Sequence, residues 1–179
     1  MSNDGREASL EGRLAKLGIA NPERAVVLLA EFPELSSHEA FIDELGLAPD
    51  PDLALESTLR WFSAADSSDQ NSFTLDAGMR ARWLLVSGAS QAFSQFIVQH
   101  PAEMKLLAAQ GSWQETASRK AIVERLLTSV NAKWEHGRWI AEADSETQLD
   151  NLRRAYKREV ISIAARDLLG GSSLELVSE

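Results

Sequence analysis

Leu149-Asp-Asn-Leu-Arg-Arg-Ala-Tyr-Lys-Arg-Glu-Val-Ile-Ser-Ile-Ala-Ala-Arg-Asp-Leu-Leu-Gly170 is the longest unbroken helical pattern in a chain of 179 residues. Leu149, Leu152, Tyr156, Val160 and Ile163 recur at spacings of three and four, which places them on one stripe of a helix. That stripe is expected to face a core. Arg153, Arg154, Lys157, Arg158 and Arg166 flank it, with Glu159 and Asp167 as acids able to pair with them. Arg153 with Lys157, and Arg154 with Arg158, are like-charge neighbours at i, i+4, each pair disfavouring an isolated helix by about 0.2–0.5 kcal/mol. The acidic remainder of the chain is the simplest source of counter-charges for this cluster. Ser145 and Gln148 have capping-box spacing ahead of the stripe, and the pair Gly170-Gly171 closes it, so a long helix is expected over 146–170.

Upstream of it, Lys133 to Asp144 holds Trp134, Gly137 and Trp139 and has no clear period. Ser112 and Glu115 form another capping box, opening a helix through Ile122, Leu126, Leu127 and Val130. A short helix is expected from Pro101 to about Ala109. The one before it, roughly Ser90 to Gln99, stops because the residue preceding Pro101 disfavours the α region. Gly88-Ala89-Ser90 reads as a helix-to-helix turn after a helix from about Leu75 to Val86.

Residues 66–72, Asp-Ser-Ser-Asp-Gln-Asn-Ser, read as a polar loop. Residues 1–65 read as short helices started by Asn21-Pro22-Glu23, by Ser36 with Glu39, and by Asp50-Pro51, each a cap or a cap followed by proline. Gly18 and Gly46 serve as stops. No run has period two with β-branched enrichment, so the chain reads as all-α: an irregular multi-helix bundle with one long C-terminal helix.

Composition narrows the function. The net charge of -9 disfavours sequence-independent binding to nucleic acid or an anionic membrane, since such binding needs bases to neutralise phosphates. There is no cysteine, which excludes a disulfide framework and thiolate metal sites and fits a reducing compartment. No signal peptide is seen at Met1-Ser2-Asn3-Asp4-Gly5, and no apolar run approaches the roughly 20 residues that span a bilayer. A cytoplasmic protein is expected.

Each candidate for chemistry has a plainer structural explanation. His38, His100 and His136 lack partners of ligand character at i, i+3 or i+4, so capping or surface roles fit them better than a metal site. No Gly-x-Ser-x-Gly elbow occurs. The Gly170-Gly171-Ser172-Ser173 run follows no strand and precedes no Lys, which suits a helix cap rather than a phosphate loop. Trp61, Trp83, Trp113, Trp134 and Trp139 are dispersed rather than interleaved with bases, as core or interface anchors would be. No catalytic, cofactor or metal residue emerges.

The 152–170 run nevertheless resembles the helix that precedes the first nucleotidyltransferase domain in the glutamine synthetase adenylyltransferases, particularly the actinobacterial ones. The pattern Arg-x-x-Tyr/Phe-[Arg/Lys]-x-Glu-x-x-x-Ile-Ala-x-Arg-Asp-Leu is carried by Arg153, Tyr156, Lys157, Glu159, Ile163, Ala164, Arg166, Asp167 and Leu168. Gly88 to Glu103 is similar to the family's Gly-Ala-Ser turn and the helix ending in His-Pro, here His100-Pro101. Leu10 to Ala30 resembles the opening of actinobacterial members.

The resemblance implies the N-terminal helical part of a bifunctional enzyme. One nucleotidyltransferase domain of such an enzyme removes AMP from a tyrosine of glutamine synthetase by phosphorolysis, and a second attaches AMP from ATP. Mg and ATP are implied for the full-length family, through a Ser-Asp-x-Asp signature that does not occur in these 179 residues. The implied partners are glutamine synthetase, a nitrogen-signalling regulatory protein and the missing nucleotidyltransferase domain. Residues 73–171 are then the helical lead-in, and 172–179 the start of a truncated next element. Arg153, Glu159, Arg166 and Asp167 are the expected domain-bracing residues, and the chain alone is expected to be catalytically silent. The competing expectation is a free-standing helical module that binds a protein partner.

Overall fold

A computed structural model describes residues 9–108, 117–141 and 145–169. The order of elements is α1 (Leu10–Lys16), α2 (Pro22–Ala30), α3 (Pro33–Ser36), α4 (Glu39–Glu44), a 3-10 turn (Leu45–Leu47), α5 (Pro51–Ala64), α6 (Ser67–Leu75), α7 (Ala77–Ala89), α8 (Gln91–Gln99), a 3-10 segment (Pro101–Leu107), α9 (Arg119–Ser129), strands β1 (Lys133–Glu135) and β2 (Arg138–Ile140), and α10 (Ser145–Leu168). Among the described residues the architecture is all-α apart from one two-stranded hairpin. It divides into two compact units, residues 1–104 and 105–179.

In the first unit the starts of the helices follow the chemistry of their caps. Ser9, Asn21, Asp50, Asp66, Asp76 and Ser90 each accept a hydrogen bond from a backbone N–H three residues on. Pro22 and Pro51 occupy first-turn positions, where no donor is needed. Asp50 Oδ1 accepts from Leu53 N at 2.9 Å. The D50A substitution is therefore expected to cost about 1 kcal/mol, with D50S recovering most of it, as read by urea denaturation.

Helix α5 is the centre of this unit. It packs on α7 and α8 and buries Leu55, Leu59, Trp61 and Phe62 on the side away from Arg60 and Ser63. An aromatic chain crosses the core: Phe32 meets Phe62 edge-on, Phe62 meets Trp61, and Phe73 lies 5.1 Å from Trp61 and 6.2 Å from Phe41 between ring centres. Indole N–H groups this deep need acceptors. Trp83 Nε1 donates to Thr58 Oγ1 at 2.8 Å, Thr58 Oγ1 donates to Ala54 O at 2.7 Å, and Trp61 Nε1 donates to Pro101 O at 3.2 Å.

Three local expectations are corrected. Residues 66–72 are not a loop: α6 starts at Ser67, capped by Asp66 and anchored by the fully buried Phe73. Its polar side chains turn back on its own backbone, with Ser72 Oγ donating to Ser68 O at 2.8 Å, and one large aromatic supplies most of the burial. Gly88 does not end α7, which continues to Ala89. A Cβ at Gly88 would lie 3.0 Å from both Ala48 Cβ and Asp50 O, so this glycine marks where the 48–50 segment crosses the helix. His38, rather than Ser36, caps α4: its Nδ1 accepts from Phe41 N at 3.1 Å. That bond leaves Nε2 as the protonated nitrogen, donating to Thr74 O at 3.0 Å.

Thr74 O belongs to a polar node joining α4, α6 and α7. Arg80, almost fully buried, donates from Nε and Nη2 to the two carboxylate oxygens of Glu44 at 2.8 and 3.0 Å. Its Nη1 donates to Phe73 O at 3.1 Å and Thr74 O at 2.6 Å, satisfying carbonyls that the end of α6 leaves without helical partners. At the surface Arg13 bridges α1 to α4 through Asp43 and Glu39, and hydrogen bonds to Asp43 first and Glu39 second raise its guanidinium pKa above the ordinary value.

In the second unit α9 packs on α10. Of the stretch Lys133 to Asp144, residues 133–140 form a hairpin, and 142–144 lie outside the described residues. His136 and Gly137, at φ 49° and 77°, form a two-residue turn of the kind that matches strand twist. Trp134 faces Trp139 across the strands with ring centres 5.3 Å apart. This cross-strand pair is a local stabiliser, and both rings remain more than half exposed. The capping box at Ser112 and Glu115, Trp113, the Gly170-Gly171 cap and residues 172–179 lie outside the described residues; α9 itself begins at Arg119, where Ser118 accepts from Ala121 N at 3.2 Å, so Ser118 and not Ser112 caps it.

Candidate domain-facing helix

Helix α10 carries every residue singled out for a functional role. Its 24 residues extend about 36 Å at 1.5 Å per residue. Burial divides it into two halves. Between Glu159 and Leu169 the buried residues are Ile161, Ser162 and Ala165, with Val160, Ile163 and Ala164 half-buried. Between Glu146 and Arg158 only Gln148 and Ala155 are even half-buried.

This reverses part of the expected stripe. Leu149, Leu152 and Tyr156 are 50%, 38% and 60% exposed, and the most deeply buried positions are Ile161 and Ala165, which lie off the stripe. Periodicity marks which side chains share a face, but a neighbour must exist for that face to be covered. In the described structure α9 supplies that neighbour only to part of α10.

The four candidate residues are placed differently from one another. Glu159 is only 16% exposed and is held by Arg125 of α9, whose Nε and Nη2 donate to its two carboxylate oxygens at 2.6 and 2.7 Å. This fork-to-fork pair fixes the rotation of α10 on α9. Arg153 is exposed and donates to Asp150 on the preceding turn at 3.2 Å, a surface pair of small energetic value. Arg166 is half-buried and Asp167 exposed, both in the last turn of the described helix. Arg153 and Arg166 stand about 20 Å apart along the axis, so the four residues form no single site. Arg125 was absent from the sequence expectations. Its 34-residue separation from Glu159 left no local signal.

Among the described residues no group of three or more His, Asp or Glu is arranged to hold a metal ion. His38 caps α4, His100 meets the Phe96 ring at 5.0 Å, and His136 sits in the hairpin turn. Surface clefts in the first unit, such as that lined by Leu53, Glu56, Arg60, Gln91 and Gln95, hold about 40 Å³, little more than a water or two. No helix of the described residues is long and apolar enough to cross a membrane.

Among the described residues, fold and surface define an all-α protein with one long, half-exposed helix. Comparison with known proteins gives the relationship. The chain is 32% identical over 97% of its length to the bifunctional glutamine synthetase adenylyltransferase/adenylyl-removing enzyme of Streptomyces avermitilis, and 33% identical over 93% of its length to that of Streptomyces coelicolor. It is thus a partial homologue of this enzyme family, related over nearly all of its own length and spanning about 16% of each relative. No family model and no solved structure matches the chain.

Proposed function

We propose that this chain is the helical lead-in of a bifunctional glutamine synthetase adenylyltransferase and adenylyl-removing enzyme, non-catalytic by itself. The observation that carries the reading is the relationship to two such enzymes at 32% and 33% identity over 97% and 93% of the chain. Among the described residues, polar side chains such as Asn21, Asp50, Arg80 and Glu159 serve helix caps and helix packing. In this reading the nucleotidyltransferase chemistry, with its ATP and Mg, resides on other parts of the longer protein. Glutamine synthetase and a nitrogen-signalling regulator are partners of that whole, in the cytoplasm.

Within that assembly the Arg166–Asp167 end of α10 braces the catalytic domain. Glu159 acts indirectly, by locking α10 onto α9 through Arg125, and Arg153 contributes from the exposed half. The test is a chimera in which residues 9–169 replace the matching segment of the Streptomyces coelicolor enzyme. It is expected to retain both AMP transfer to and AMP removal from glutamine synthetase. R166A in that chimera is expected to lower AMP removal at least about tenfold, the loss of roughly 1.4 kcal/mol of transition-state stabilisation, with an unchanged melting temperature. A chimera that folds like its parent yet lacks both activities would overturn the assignment, and full activity of R166A would overturn the bracing role.

A further inference from the structure

The hairpin of the second unit has open edges. Residues 133–139 are all exposed, and among the described residues no third strand pairs with β1 or β2. Two strands alone are marginally stable in water, so such a hairpin gains by adding strands. His136 and Gly137, both at positive φ, make a two-residue turn, so the flanking residues Glu135 and Arg138 are the closing hydrogen-bonded pair. Alternation then makes Trp134 and Trp139 a non-hydrogen-bonded pair. The backbone N–H and C=O of Trp134 therefore point away from β2, into the open edge of β1.

That edge is complementary to itself. Laid antiparallel on a copy of itself about Trp134, the run Lys133-Trp134-Glu135 sets Lys133 against the partner's Glu135, and Glu135 against the partner's Lys133. We propose that β1 pairs in this register with β1 of a second copy of the chain, closing a two-fold dimer through a four-stranded sheet. The inference is independent of the proposed function. The two Trp134 residues exchange both backbone hydrogen bonds, and the two Lys133–Glu135 pairs fall at the closer, non-hydrogen-bonded positions. Directly opposed residues share a face, so Trp139, Trp134 and the same two residues of the partner stand in one row. The other face runs Arg138, Glu135, the partner's Lys133 and the partner's Ile140, with no like charges opposed. At the ends of the contact Ala132 meets the partner's His136.

A lysine on an edge strand ordinarily discourages pairing, but here an acid two residues on neutralises it in the partner. The edge of β2 lacks this property, since Arg138 would meet the partner's Ile140. Pairing of β1 with the partner's β2 gives one charge pair per contact, Glu135 with Arg138, and repeats without closing. Three residues from each copy bury far less than a stable interface, so the dimer is weak and salt-sensitive.

Sedimentation equilibrium of the full chain at low salt tests this. The weight-average mass is expected to rise from 19.7 kDa toward twice that value at concentrations up to about 1 mM, where an association as weak as roughly 1 mM is visible. K133E and E135K each oppose like charges across the two-fold axis and are expected to weaken association at least about tenfold. Mixed one to one, or combined in the double variant K133E/E135K, they restore the dimer. The exciton-coupled circular dichroism of the Trp134–Trp139 pair reports that the hairpin itself is intact. K133E decides even where E135K loses that signal, because Lys133 faces Ile140 and no charge within the hairpin. A wild-type chain that stays monomeric, a dimer indifferent to K133E, or an intact mixture that stays monomeric would each overturn the proposal. So would a mass that grows past the dimer, which would assign the edge to open-ended pairing of β1 with β2.

Discussion

The substitution R80A is expected to destabilise the first unit by about 3–5 kcal/mol, the cost of breaking a buried ion pair on one side only. Arg80 spends all three guanidinium nitrogens on groups that have little access to water: Nε and Nη2 go to Glu44, and Nη1 goes to the carbonyls of Phe73 and Thr74. Alanine leaves the Glu44 carboxylate largely buried without its partner and exposes the end of α6 to an unmet hydrogen-bonding demand. The pair itself has modest net value, because desolvating both charges offsets most of their attraction. R80M combined with E44L is therefore expected to recover at least half of the loss, the remainder being the two orphaned carbonyls. Urea denaturation followed by tryptophan fluorescence separates these cases; equal losses in the single and double variants would show that the carbonyl contacts, not the ion pair, dominate.

Loss of Trp83 is expected to be of the same size by a different route. Its side chain is fully buried, and W83A leaves a large cavity among helices that meet on several sides, at a cost of about 3–5 kcal/mol. W83F keeps much of the volume and removes only the donor to Thr58 Oγ1, for a loss nearer 1 kcal/mol plus the smaller cavity. Pairing W83F with T58V removes the acceptor as well, so the two losses should be less than additive. Full additivity in a double-mutant cycle would show that the 2.8 Å contact carries no coupling energy.

Neither Arg80 nor Trp83 was legible as a stabilising centre in the sequence. Their partners lie 36 and 25 residues away, on other helices, and no local spacing reports that separation. Arg125 and Glu159 escaped for the same reason. Two start signals, by contrast, were legible because their chemistry is local: Asn21-Pro22 and Asp50-Pro51 open α2 and α5, since a cap needs only a side-chain oxygen and a backbone N–H three residues on. Asp66 supplies the same device to α6, but the polar run that follows it looked like a loop. There a single buried aromatic, Phe73, outweighs weak amphipathic patterning. The hairpin at 133–140 was missed because its two strands are three residues each and owe their pairing to the Trp134–Trp139 contact and a left-handed turn rather than to alternation.

The long helix shows where the two kinds of information part. Its existence, its charge pattern and its resemblance to one enzyme family were determined by the sequence alone, since helical spacing and residue identity are properties of a single segment. Which of its faces is covered was decided only by tertiary structure. Ile161 and Ala165 are buried and Glu159 is locked to Arg125, while Leu149, Leu152 and Tyr156 remain at the surface. Burial depends on a neighbour, and a periodic stripe carries no record of whether that neighbour is another helix of the same chain or a surface outside it.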